Sequence, residues 1–260
     1  MKRVFSRGFG TVLVMSLFMV TLGLISNGWA LPTPGPGFDW TEADYWTLTD
    51  HTTGVQGDAT FTLNLEIANY ESEFGLYLVD DISNPSQITN TFKIFDKNDE
   101  PTQFGTVQSV YFKNDNGTWQ VSLDEVAWTD FGINFGFYFG VYTDGSSDND
   151  VDYYWYTDRQ FNRLANGTSA DTNFEHVIVA YNYTNTVARI FLDDQYVNDP
   201  SYNGDPWIDQ EIGGSDRDFK DMVVTADDIA PVPEPATIFL FGLGLIGIAG
   251  VARKRLINKA

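Results

Sequence analysis

The chain of 260 residues contains no cysteine. That excludes disulfides, thiol nucleophiles, iron–sulfur clusters and thiolate zinc sites. It has only two histidines, His51 and His176. Neither belongs to a zinc-binding H-E-x-x-H pair, and no G-x-S-x-G elbow is present. Positive charge is scarce: 15 Lys and Arg stand against 36 Asp and Glu, a formal charge of −21. Between residues 31 and 235 lie all 36 acids but only 8 of the bases, so that portion alone carries −28. A surface of that sign repels nucleic acid and anionic lipid and calls for counterions, divalent cations among them. Convincing helical stripes are also lacking in this middle portion. What it has instead is aromatic residues, 20 Phe, 13 Tyr and 7 Trp in the whole chain, which argues against disorder despite the charge.

The two ends differ from the middle. Lys2, Arg3 and Arg7 precede an apolar run from Val12 to Ile25, and Gly28 and Ala30 supply small residues just before Leu31. This is the pattern of a secretory signal over 1–30, cut by signal peptidase between Ala30 and Leu31. Residues 31–40 are a Pro- and Gly-rich leader, and 41–230 form the expected acidic domain. At the other end, Val232-Pro233-Glu234-Pro235 precedes a charge-free apolar stretch over 236–252. Arg253-Lys254-Arg255 follows, within the basic tail 253–260. Seventeen apolar residues are just enough for a membrane helix, and the basic cluster would stay on the cytoplasmic side.

In that order and place, residues 231–260 resemble the PEP-CTERM sorting signal. The resemblance implies recognition by an exosortase, a membrane-embedded cysteine transpeptidase, with cleavage near Pro233-Glu234-Pro235. It also implies export to the cell surface or extracellular matrix of a Gram-negative bacterium that makes exopolysaccharide. The protein would pass through an inner-membrane intermediate held by the C-terminal helix.

The middle alternates at period two, the signature of half-buried strands. Phe61, Leu63, Leu65 and Ile67 form one face of a strand, and Trp119, Val121 and Leu123 one face of another. Ile133, Phe135, Phe137, Phe139 and Val141 share a face whose reverse carries Gly132, Gly136 and Gly140, leaving room for close packing there. Further strands are expected at 74–79, 107–112, 151–157, 174–181, 187–193 and 221–225. Asn84-Pro85, Asn116-Gly117, Asp144-Gly145, Asn166-Gly167 and Asn203-Gly204 mark turns, and 181–186 a hairpin loop. The expected fold is all-β, an antiparallel, jelly-roll-like β-sandwich of eight to ten strands.

The most pointed chemistry lies in Gly213-Gly214-Ser215-Asp216-Arg217-Asp218-Phe219-Lys220-Asp221. In a straight strand Asp216 and Asp218 would face away from Asp221, so convergence needs a loop, which the glycines permit. Calcium takes six to eight oxygens in flexible geometry and suits such a cluster, with Asp193 and Asp194 as further ligands if the loops meet. The competing reading is turn capping and pairing with Arg217 and Lys220. This stretch, with Phe191-Leu192-Asp193-Asp194 and His176-Val177-Ile178-Val179, resembles a bacterial domain family of unknown function over about 136–225. That family implies no activity. His176 reads as a packed residue and Asp96–Glu100 as a turn. In Tyr153-Tyr154-Trp155-Tyr156, alternation puts Tyr153 and Trp155 on one face and Tyr154 and Tyr156 on the other. The first functional expectation is a non-enzymatic surface or matrix protein with a calcium site. The second is a carbohydrate-binding module for exopolysaccharide, and the third a glycan hydrolase, for which no carboxylate pair stands out.

Overall fold

The computed structural model describes residues 33–49, 56–66, 71–99, 105–142, 151–164, 166–170, 172, 175–193, 219 and 221–232. The signal segment with Gly28, Ala30 and Leu31 lies outside the described residues. So do Asp194, Asp216, Asp218, Pro233-Glu234-Pro235, the apolar stretch 236–252 and Arg253-Lys254-Arg255.

The described residues contain fifteen strands. In chain order they are β1 (Asp39–Thr41), β2 (Trp46–Leu48), β3 (Gln56–Glu66), β4 (Glu71–Val79) and β5 (Ile88–Phe95). Next come β6 (Thr106–Asp115), β7 (Thr118–Ser122), β8 (Thr129–Asp130), β9 (Asn134–Tyr142) and β10 (Tyr153–Tyr156). The last five are β11 (Arg163–Leu164), β12 (Val177–Asn182), β13 (Val187–Leu192), β14 (Met222–Asp227) and β15 (Ile229–Pro231). The one helical element among them is a single 3-10 turn, Arg159–Phe161. No helix among the described residues is long and apolar enough to cross a membrane.

The strands form two antiparallel sheets. One runs β1-β12-β13-β14-β3-β6-β7-β8. The other runs β11-β10-β9-β2-β15, with β4 on the second edge of β9 and β5 beyond β4. The turn signals act where the sequence places them. Asn116 and Gly117, with φ of 53° and 94°, close the two-residue hairpin between β6 and β7, since both positions must be left-handed. The Asn182 side chain caps the loop from β12 to β13 by accepting the N–H groups of Thr184 and Asn185. Asp96 accepts the N–H of Asn98 at 2.8 Å, which makes the turn that follows β5.

Between the sheets the alternating residues meet as a phenylalanine-rich core. Phe74 and Phe137 stack with centroids 5.8 Å apart, and Phe112 and Phe135 do the same at 5.8 Å. Phe61 and Trp46 reach Phe137 at 6.4 and 5.6 Å. Each fully buried ring contributes about 1.5–3 kcal/mol relative to an exposed one. The two sheets are also tied by the Tyr181 hydroxyl on β12, which donates to the carbonyl of Ile229 on β15 at 2.7 Å.

The glycines of β9 do what a missing side chain allows. The ring of Tyr77 on β4 lies over Gly136, in the space a Cβ would take. Gly140 likewise makes room for Glu73 and Val151. Gly136→Ala therefore drives a methyl group into a fully buried ring and should cost about 2–3 kcal/mol. A lower urea midpoint at unchanged slope would record it. Gly117→Asn, in open space at a backbone angle Asn tolerates, should cost far less.

Candidate functional site

Three places bring chemically capable side chains together. The first is the end of β12, β13 and β14. His176 is buried just before β12, its ring parallel to Trp155 with centroids 4.0 Å apart. Its carbonyl accepts the N–H of Asp193 at 2.9 Å, and its Nδ1 lies 3.3 Å from the Asp193 carbonyl. His176 is thus a packed residue. Leu192 pairs with Met222, and the Asp221 N–H donates to Leu192 O at 3.2 Å. Asp193 and Asp221 therefore sit side by side where the two strands end. Their expected companions Asp194, Asp216 and Asp218 lie outside the described residues. Among the described residues, no three His, Asp or Glu side chains gather closely enough to hold a metal ion.

The second place is the outer face of the sheet built on β9. The pairing rule is simple: residues directly opposite on antiparallel strands share a face. Tyr142 is opposite Glu71, Gly140 is flanked by Glu73 and Tyr154, and Tyr138 is flanked by Gly75 and Tyr156. Tyr154 in turn is opposite Arg163. This face is buried: Glu73 is 6% exposed, Tyr138 3% and Tyr142 5%. Glu73 is the hub. It accepts the hydroxyls of Tyr142 at 2.7 Å and Tyr138 at 3.3 Å, and Lys93 Nζ at 3.0 Å. Burial first, and then the Glu73 carboxylate, push both phenols well above their usual range, so they remain donors.

A parallel arrangement lies further along the same face. The hydroxyl of Tyr45 donates to Asp158 Oδ2 at 2.9 Å, and the Asp158 N–H donates to the Tyr77 hydroxyl at 3.1 Å. Desolvation raises Tyr45 and Tyr77 as well. Asp158 also caps the 3-10 turn by accepting the N–H of Gln160. The faces of Tyr153–Tyr156 divide as the alternation requires, with Trp155 in the phenylalanine core and Tyr156 in the tyrosine cluster. Arg163 lies over Tyr154 and Tyr156, 5.3 and 5.4 Å from their centroids. Tyr153 and Tyr154 are half-buried and the other two buried, so this segment offers no open ring platform.

The third place is the last run of described residues, 221–232. After β14 the backbone turns at Asp228, with φ of 62°, and enters β15 beside β2. Asp228 O accepts the N–H of Thr49 at 2.9 Å, and the Val232 N–H donates to Tyr45 O at 2.8 Å. These two hydrogen-bonded pairs fix the alternation between them. Pro231, opposite Trp46, therefore falls at a pair that exchanges no bonds, where its missing N–H costs nothing. Ile229 is fully buried in the core, and Val232 packs on the Tyr45–Tyr77 cluster.

Residues 231–255 match the PEP-CTERM protein-sorting motif. The motif belongs to exported, surface-directed proteins that an exosortase processes, and the chain carries it. It begins at the last residue of β15 and overlaps the fold at Pro231 and Val232. No match was found for the chain among curated proteins or among solved structures.

The sorting motif is readable from sequence because its parts are contiguous. Glu73, Tyr45 and Asp158 carry no such signal, and sequence reasoning misses them. Glu73 lies 65 and 69 residues from its two tyrosine partners, so no local motif marks it. The one available clue is the alternation Glu71, Glu73, Gly75, Tyr77, which pairs the glycines and tyrosines of two strands. Glu73→Ala should destabilise the domain by about 3 kcal/mol, because two buried hydroxyls lose their acceptor. Glu73→Gln, which keeps an acceptor oxygen, should cost less than half of that in the same denaturant titration.

Proposed function

We propose that this protein is a non-enzymatic surface or matrix component whose acidic β-sandwich is the passenger of its sorting motif. The single observation that carries the reading is the match at 231–255, joined without a spacer to the last strand of the fold. In this reading signal peptidase removes 1–30. The apolar stretch 236–252 then holds an inner-membrane intermediate in a Gram-negative cell, with Arg253-Lys254-Arg255 on the cytoplasmic side. Exosortase cuts near Pro233-Glu234-Pro235 and frees the domain to the surface or matrix. Exopolysaccharide is the polymer it would meet there. The buried, internally satisfied carboxylates Glu73 and Asp158 support a structural domain over a glycan hydrolase.

The test follows the chain in cells. The full protein with an epitope tag in the domain is expressed with the exosortase present and with it deleted. A shortened, released species should appear only with the enzyme present and Pro233-Glu234-Pro235 intact. The same size in both strains would end the processing reading.

Calcium at the end of β13 and β14 is part of the same proposal. Asp193 and Asp221 are neighbours there, and Asp194, Asp216 and Asp218 are close to them in sequence. A ligand at 100-fold its dissociation constant adds about 2.7 kcal/mol, or several degrees for a domain of this size. The melting temperature should rise by that much in calcium over chelator, and Asp216→Asn with Asp218→Asn should abolish the rise. Superimposable melts would retire the ion and leave the aspartates as turn residues.

A further inference from the structure

The sorting motif and the fold share residues. Pro231 lies in β15 opposite Trp46, and Val232 is bonded to Tyr45 and packed on the tyrosine cluster. Both also belong to the matched motif, which starts at 231. In the folded domain the leading edge of the processing signal is therefore a sheet strand.

Distance makes this consequential. Only Pro233, Glu234 and Pro235 separate Val232 from Ala236, where the apolar stretch begins, and those Cα–Cα steps span at most about 14 Å fully extended. An enzyme that acts on a peptide grips an extended chain along its backbone on both sides of the bond it breaks. With Val232 zipped to Tyr45, a membrane-embedded enzyme would have to fit its cleft into that gap against the wall of the domain. Releasing Ala230, Pro231 and Val232 lengthens the free segment by about 10 Å.

The strength of the attachment is graded along the strand. Ile229 is fully buried, its carbonyl is held by the Tyr181 hydroxyl, and its N–H faces Thr186 O at 3.4 Å. Ala230, Pro231 and Val232 are only half-buried. Among the described residues they sit on the edge strand of their sheet, paired with β2 alone. Pro231 exchanges no bond with that neighbour. Burial therefore falls from Ile229 to the three residues that follow it.

We propose that Ala230–Val232 is a latch: the processing enzyme takes the sorting motif only after these three residues leave the edge of β2. This rests on the reading that the apolar stretch keeps the chain at the membrane until an exosortase cuts it. Folding of the domain then sets the rate of its own release.

The chain has no cysteine, so a single engineered pair can lock the latch without ambiguity. Thr47 and Ala230 are directly opposite in a hydrogen-bonded antiparallel pair, where Cα atoms stand about 5.5 Å apart, a separation a disulfide spans. The full chain carrying T47C and A230C is expressed with the exosortase and followed by pulse-chase in oxidising and reducing medium. A second variant inserts six Gly/Ser residues between Val232 and Pro233, alone and combined with the lock. The expected result is near-complete loss of processing in the oxidised lock, because a disulfide cannot open as the one or two ladder hydrogen bonds of the natural strand do. Reductant should restore the rate, and so should the insertion in the still-oxidised chain, which also shows that the locked chain still reaches the enzyme. The insertion alone should be cut faster than the natural chain. Equal rates for natural, locked and extended chains would overturn the latch while leaving exosortase processing in place. No cut in any chain with the enzyme present would overturn both.

Discussion

Strand β9 has no wet face. Every residue from Phe135 to Tyr142 is buried, which an antiparallel strand in a two-layer sandwich does not ordinarily require. One side meets the phenylalanine core between the sheets. The other side is sealed by Tyr77 lying on Gly136 and Tyr138 on Gly75; Tyr138 and Tyr142 donate to Glu73, Tyr45 donates to the Asp158 carboxylate, and the Tyr77 hydroxyl accepts the Asp158 N–H. The rest follows from that constraint. β4 must present a carboxylate and a tyrosine on the same face as the glycines of β9. β10 must supply Tyr156 beside Tyr138. From the segments beyond, Phe161 and Val232 must fold back to cover the second layer.

Charge is organised around the same need. The domain has few cations, and two of them meet the acids of β4 beside β9. Lys93 meets Glu73 at 3.0 Å, and Lys97 lies 3.6 Å from Glu71 and 4.9 Å from the centre of Tyr142. On the surface, acids are satisfied by the backbone and by hydroxyls. Asp80 accepts from Ser86 and Gln87, and Asp124 from Val126 and Ala127. These donors hold the two carboxyls below their ordinary range, led in Asp80 by the Ser86 hydroxyl and in Asp124 by the Ala127 N–H. An acidic domain can thus keep its loops ordered without matching each Asp to a Lys.

Much of the sandwich is legible in the sequence where one face is wet and one dry. β3 and β7 read cleanly for that reason, and Asn116-Gly117 marks its hairpin because both residues must be left-handed. The strands that escape are of two kinds. β1, β2, β8, β11 and β15 are two or three residues long, too short for any period to show. β5, with Thr89, Thr91 and Lys93 on its exposed side, reads as polar sequence and is a strand because β4 offers it an edge. The tyrosine face is hidden for a different reason. Gly, Tyr and Glu alternating with Phe look like a solvated side, and only pairing between residues far apart in the chain shows it to be a second core. The sorting motif, by contrast, is written in consecutive residues and needs no fold to be recognised.

Pro231 has a meaning beyond the strand that ends there. A terminal strand on an open sheet edge is a template, ready to accept a strand from a neighbour by backbone pairing alone. Proteins delivered to a surface in many copies meet one another at high local concentration, and such an edge would let them zip into ribbons. Here the outermost strand is three residues long and its outward position is occupied by a ring nitrogen with no hydrogen to give. Among the described residues, this end of the sheet therefore presents no N–H at Pro231 for a neighbouring copy's strand to pair with, which disfavours growth of the sheet there.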